Sequence, residues 1–239
     1  MTFSEQIRGH TFLPAILGPT PFVIDAGSHK GEFATEIAQR YRAHVLALEP
    51  NRLLWSEHKK NSHIEFRAVA LSHLTGMQDF HLSDSTECSS LLDSGPGQSQ
   101  TITVPTIALS DLLIEHNREI DLLKLDIEGA ECEVLLSATD NTLSRFRQIT
   151  VEFHDFMYPE LNEKVNQCIQ RLSDLGFASI TMQRKTREDV LFIRQDVAKK
   201  LSFQIRTIRY FDKNIRGIGR MLSRISLVNV GPSYNANPK

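Results

Sequence analysis

Phe22-Val23-Ile24-Asp25-Ala26-Gly27-Ser28-His29-Lys30-Gly31 opens as a buried strand and closes as a wide G-x-x-x-G turn. Phe33, Ile37 and Tyr41 then recur at helical spacing, so the turn joins a strand to a helix. Working outward, residues 44–48 read as a second strand, 52–60 as a helix and 64–70 as a third strand. The rhythm changes over residues 75–107, where strand-like runs at 77–82 and 102–106 flank a Ser/Gly-rich loop, 83–100. This predicts an inserted hairpin with a loop long enough to be functional. Alternation resumes with a helix at 109–116, a strand at 120–125, a helix at 130–138, a strand at 149–153 and a helix at 161–175. Two last runs, 178–182 and 190–193, flank the charged turn Arg184-Lys185-Thr186-Arg187-Glu188-Asp189 and predict a closing hairpin whose final strand is antiparallel to the rest. Strands separated by helices imply βαβ units in a doubly wound, seven-stranded, mostly parallel α/β sheet of Rossmann-like type. The expected division is an N-terminal segment at 1–20, the α/β domain at 21–195 and a helical extension at 196–239.

Composition sets the outer limits. A chain of 239 residues, 41% apolar and 23% charged, holds one good-sized core rather than two. The formal net charge of −2 argues against nucleic acid as the main partner. Cys88, Cys132 and Cys168 lie far apart with no C-x-x-C pair, poor material for zinc or a disulfide framework and suited to a reducing compartment. The apolar stretch 12–17 is short and broken by Pro14, unlike a signal peptide, and no run approaches the roughly 20 residues of a membrane span. The expected location is cytoplasmic.

In an open parallel sheet, ligands bind beyond the carboxyl ends of the strands where strand order reverses. The residues predicted there are Asp25, Glu49, Asp126 and the pair Glu152 and His154. Like charges on one rim repel, so a purely structural sheet gains nothing from them. Asp25 ahead of the turn suits a ligand with a cationic amino acid end, met directly or through water, while Gly27 lets backbone approach closely. An ordinary strand-to-helix turn is the competing reading. Glu49 stands where an acid accepts both hydroxyls of a ribose, although it also suits a helix N-terminus ahead of Pro50. Asp126 continues its strand into the crevice. Glu128 and Glu131 favour the start of the next helix, and for Glu131 that account suffices.

Five segments in order carry a resemblance: residues 23–31, Leu48-Glu49-Pro50-Asn51, Val69-Ala70-Leu71-Ser72, Leu123-Lys124-Leu125-Asp126-Ile127-Glu128-Gly129-Ala130-Glu131 and Val151-Glu152-Phe153-His154. The series resembles the FkbM family of methyltransferases over about residues 20–195, with the Lys-x-Asp-x-Glu-Gly-x-Glu segment its most specific piece. It implies the class I methyltransferase fold, S-adenosylmethionine as cofactor, and methyl transfer to hydroxyl oxygens of sugars, polyketides and related metabolites. Cofactor contacts are implied at Asp25, Gly27, Gly31 and Glu49, with Ser28, His29, Pro50 and Asn51 from the same segments, Ala70 and Leu71 near the adenine, and Asp126 near the methylsulfonium. Residues 72–92, including Ser89-Ser90-Leu91, fall on the variable substrate side.

A sugar hydroxyl is a poor nucleophile, so a base should take its proton as the new bond forms. His154 is the first candidate, because imidazole titrates near neutrality, with backbone satisfaction at a strand end as its plain alternative. Asp126 is the second candidate, or else the counter-charge to the sulfonium. Glu128 and Glu152 can orient His154 or bind further hydroxyls. Asp126, Glu128, Glu152 and His154 also suit an oxygen-rich divalent metal site, though no spacing requires a metal.

Beyond the resemblance, Lys199, Lys200, Arg206, Arg209, Lys213, Arg216, Arg220 and Arg224 accompany apolar residues every three or four positions, a basic amphipathic helix. It reads either as a helix packed on the domain or a second subunit, or as an interfacial helix at the inner face of an anionic membrane, near a glycolipid acceptor. A nicotinamide-dependent dehydrogenase lacks support, since none of Tyr41, Tyr158, Tyr210 or Tyr234 has the lysine four residues on that the short-chain type needs. A non-catalytic scaffold that binds a partner or membrane through the tail is the other alternative.

Overall fold

A computed structural model describes residues 4–58, 60–83, 91, 98–183 and 186–198. Cys88, Ser89, Ser90, Arg184, Lys185 and the basic tail lie outside them. The chain begins with a tight hairpin, β1 (Glu5–Ile7) and β2 (His10–Phe12), and a 3-10 turn at Pro14–Ile16. β3 (Phe22–Ala26) follows, five buried residues in a row, as a central strand covered on both faces requires. α1 (Glu32–Tyr41) starts behind Gly31 and turns Phe33, Ala34, Ile37 and Ala38 onto the sheet. β4 (His44–Leu48) and β5 (Ile64–Arg67) extend the sheet in parallel.

Two expectations change here. The helix expected over 52–60 is a short 3-10 helix, Arg52–Glu57, capped by the Asn51 side chain accepting from Leu53 N. Within it only Leu54 is buried, so no apolar stripe holds a longer helix down. The strand expected over 64–70 is two strands in two sheets. After Arg67 the chain bends, Val69 N donating to Arg67 O at 3.0 Å. β6 (Ala70–Ser72) then pairs with β8 (Gln98–Ala108), which also pairs antiparallel with β7 (Gly76–Ser83). The inserted hairpin thus builds a second sheet with its own small core of Ala70, Phe80, Leu82 and Val104.

The main sheet resumes through α2 (Leu109–Glu115), β9 (Leu122–Leu125), α3 (Glu131–Ser137), the short α4 (Asp140–Leu143), β10 (Gln148–Val151), α5 (Asn162–Asp174), β11 (Phe177–Thr181) and β12 (Val190–Arg194). Its seven strands lie in the order β11-β12-β10-β9-β3-β4-β5. β12 slots between β10 and β11, antiparallel to both, as the closing hairpin predicts. Strand order reverses between β3 and β9, which places the binding crevice beyond their carboxyl ends.

Side chains alternate between the two faces of each strand. Ile24, Leu123 and Leu125 meet α2, α3 and α5 in the larger core. Val23 and Leu122 face α1 together with Ile7 and Phe12 of the hairpin. Leu13 and Ile16 continue this layer over Ile180, Leu191 and Ile193. Residues 4–17 therefore cover sheet where a helix would otherwise lie. They are tied down by polar bonds as well: Asp189 accepts from Thr11 N (3.0 Å) and Thr11 Oγ1 (2.6 Å), and Leu13 exchanges hydrogen bonds with the buried Gln148 amide.

Candidate active site

A cavity of about 590 Å³ opens at the predicted switch point, beyond β3, β4 and β9, and is walled on one side by Phe80 and Leu91 of the inserted hairpin. The turn after β3 forms its floor. Gly27 and Ser28 both donate to Leu48 O, at 3.1 and 2.9 Å, and Gly31 N closes the turn on Ser28 O at 2.7 Å. Gly27 is left-handed at φ 75, and a Cβ there would stand 1.7 Å from Asp126 O. The close approach that requires glycine is thus made first by the chain itself. At Gly31 (φ 73) a Cβ would meet the His58 ring at 2.8 Å.

Glu49 meets this turn from the end of β4. Its two oxygens accept from His29 N and Asn51 N, both at 2.8 Å, which fixes the carboxylate and leaves further lone pairs toward the cavity. Burial pushes its pKa up to about 7 against the pull of those two bonds. Pro50, Asn51, Leu54, Ala70 and Leu71 line the same end, a mainly apolar slot. An acid fixed for a diol beside an apolar slot and a glycine cradle fits the adenosine of S-adenosylmethionine.

Asp25 lies elsewhere than the sequence suggested. It is fully buried beneath the cavity and pairs with Lys124 Nζ at 3.2 Å, its in-register neighbour on β9. Lys124 Nζ also donates to Gly27 O (2.6 Å) and lies 3.4 Å from Asp126 Oδ2. Burial works against its charge, but Asp25 and Asp126 outweigh that and hold it above the ordinary lysine range. The lysine of the Lys-x-Asp segment is thus a strut between the turn and two acids.

Asp126, Glu128 and Glu152 converge on the other end of the cavity. Burial raises the Asp126 carboxyl, yet Lys124 and then His10 more than reverse this and leave it well below the usual carboxylate range. Asp126 is therefore held as an anion, which suits the counter-charge role among its two candidate roles. Glu152 is the opposite case. Burial first, then the charge of Asp126, pushes it up to about 7, while 28% of its side chain stays open.

His154, the first candidate base, is not among the residues lining the cavity. It is buried behind the cavity wall, with Nε2 3.2 Å from Glu128 and Nδ1 3.0 Å from Glu131. Burial disfavours its charge, but the two carboxylates outweigh burial and push it up to about 11. An imidazolium has no lone pair with which to take a proton. Glu131 does more than favour a helix start: it is fully buried, and its Oε1 accepts from Ile127 N (2.9 Å) and Gly129 N (3.1 Å). Together they brace the 126–131 loop, where Glu128 stands left-handed at φ 56.

The residue that sequence reading missed is His10. β2 carries it into the cavity wall, with Nε2 3.3 Å from Asp126 Oδ2 and 4.0 Å from Glu152 Oε2. Its only local signal is a lone histidine in an apolar stretch. The four residues suited to a metal, Asp126, Glu128, Glu152 and His154, do not form one cluster; among the described residues two triads, His10–Asp126–Glu152 and Asp126–Glu128–His154, each have ligand atoms within 4.8 Å of one another. The second is spent on holding His154.

Apart from the hairpin residues, this site lies inside a stretch, residues 25–179, that matches the methyltransferase FkbM domain model. The chain belongs to the FkbM methyltransferase family. It is an enzyme that takes its methyl group from S-adenosylmethionine. Among similar proteins, this FkbM-family chain is 26% identical over 188 residues to methyltransferase sdnD of Sordaria araneosa, covering 63% of this chain and 73% of that protein. It is 27% identical over 174 residues to the 2-O-methyltransferase NoeI of Sinorhizobium fredii (strain NBRC 101917 / NGR234), covering 64% and 71%. Among solved structures, the Methanococcus jannaschii fibrillarin pre-rRNA processing protein overlaps with a TM-score of 0.45 at 10% identity, over 80% of this chain and 70% of that one.

Proposed function

We propose that this methyltransferase acts on a hydroxyl oxygen of a polyhydroxylated acceptor, a carbohydrate or glycolipid, with Glu152 as the proton acceptor. S-adenosylmethionine supplies a methyl group activated by its sulfonium. Glu49 would hold the ribose, the turn at 27–31 the amino acid end, and Leu54, Ala70 and Leu71 the adenine. What the chain itself must add is alignment, a counter-charge and a base.

The observation that carries the reading is the split between Asp126 and Glu152, neighbours at the ends of β9 and β10. Asp126 keeps its charge and can balance positive charge beside it. Glu152, poised near neutrality and open to the cavity, can take the acceptor's proton as the oxygen–carbon bond forms. Glu128, also lining this end, offers oxygens to further hydroxyls. NoeI, a relative named as a 2-O-methyltransferase, supports oxygen as the target atom. The test is a panel of sugars, glycolipids, phenols and amines incubated with methyl-labelled cofactor. Label on a carbohydrate hydroxyl is expected; label on nitrogen, or on phenols alone, would refute the acceptor class.

A further inference from the structure

We propose that Arg8, at the tip of the N-terminal hairpin, binds the carboxylate of the cofactor's amino acid end. This rests on the cofactor reading and adds a ligand contact from outside the matched family segment, which begins at residue 25. The amino acid end of S-adenosylmethionine is a zwitterion, so its site must offer a cation as well as acids. Among the described residues, the arginine and lysine side chains lining the cavity are Arg8, Lys30 and Lys124. Lys124 is fully engaged by Gly27 O, Asp25 and Asp126. Arg8 instead meets one exposed partner, Glu32, the first residue of α1. That contact puts the guanidinium in the cavity lining beside Glu32, the residue that follows the turn at 27–31, and an exposed pair of this kind gives way to a better partner at little cost. A guanidinium fork matches a carboxylate bidentately, which a lysine cannot do.

The backbone supports the placement. Ile7 pairs with His10, so Arg8 and Gly9 are the two central residues of the turn, with φ 48 and 91. Such turns favour Asn, Asp or Gly at the first position, and an arginine held left-handed there is out of the ordinary. The turn is also held firmly. Gln6 Nε2 donates to Gly9 O (3.0 Å) and to Asp189 Oδ2 (2.8 Å), and the His10 ring meets Phe33 edge-on at 5.9 Å. Arg8 is therefore presented over the cavity by a braced loop rather than a free arm.

The experiment is calorimetry on the full chain with two probes, S-adenosylhomocysteine and 5′-methylthioadenosine, which shares the thioether and adenosine but lacks the amino acid. Arg8→Ala should weaken S-adenosylhomocysteine binding about tenfold or more and leave 5′-methylthioadenosine binding unchanged; Arg8→Lys should fall between. Equal weakening of both probes would mean that Arg8 acts only through the hairpin's folding and would overturn the assignment. So would wild-type affinity for both, with Lys30→Ala then showing whether Lys30 takes the carboxylate. A wild-type protein that binds neither probe would remove the cofactor reading itself, an outcome distinct from those two.

Discussion

In Glu152 and Asp126 one crevice shifts two carboxylates in opposite directions, the first up and the second down. Lys124 and His10 crowd one oxygen of Asp126 and fix its charge. Glu152 is 4.0 Å from His10, and burial and its acidic neighbours favour its protonated form. A base works once deprotonated, so kcat/KM for the acceptor should rise as pH climbs through about 7, with Glu152 the group responsible. Glu152→Gln should abolish that limb and lower kcat/KM by about 10²–10⁴-fold while S-adenosylhomocysteine affinity stays constant. Glu49 titrates in the same range, but its loss should appear in cofactor affinity instead. At Gly27 the effect is on folding. Alanine there would place a methyl group on the Asp126 carbonyl in a left-handed conformation, so Gly27→Ala should cost about 3–5 kcal/mol, visible as a melting point lower by roughly 6–20 °C.

Among the elements, the N-terminal hairpin is the one whose importance its sequence conceals. Six residues in two three-residue strands carry no periodicity long enough to read. Yet Phe12 is fully buried against α1 and the sheet, and the same strand sets His10 beside Asp126. Phe12→Ala should cost about 3–5 kcal/mol in urea unfolding, the loss typical of a buried core phenylalanine, although it lies outside the family match. The third predicted strand misled for a related reason. Residues 64–70, Ile64-Glu65-Phe66-Arg67-Ala68-Val69-Ala70, read as one strand, and nothing local marks where the chain leaves one sheet for another; pairing with β8, from the far side of the inserted hairpin, makes that choice. By contrast α1 and α5 are long enough for their apolar stripes to show, and both occur where the spacing puts them.

Across the whole molecule, charge is distributed so that the layers lock at the rim. His154 gains its two carboxylate partners only on folding. Its folded pKa, about 11, lies above the ordinary 6.5, so this stabilisation is complete below pH 6.5 and is lost as pH rises through 11. The difference in melting temperature between wild type and His154→Gln should therefore be widest at pH 6 and close toward pH 11. A difference that grew with pH would contradict the ion-paired imidazolium. Among the described residues no helix is long and apolar enough to cross a membrane.

By itself the sequence determined the succession of the seven main-sheet strands, the Gly27 and Gly31 turn and the acids at the strand ends, because periodicity, turn chemistry and position along a strand are local properties. Only the tertiary structure decided what each acid does. Asp25 and Lys124 lie 99 positions apart and meet through strand register, and His10 reaches Asp126 across 116 positions through a docked hairpin. A carboxylate's charge depends on such neighbours and on burial, and neither is written in the residues beside it.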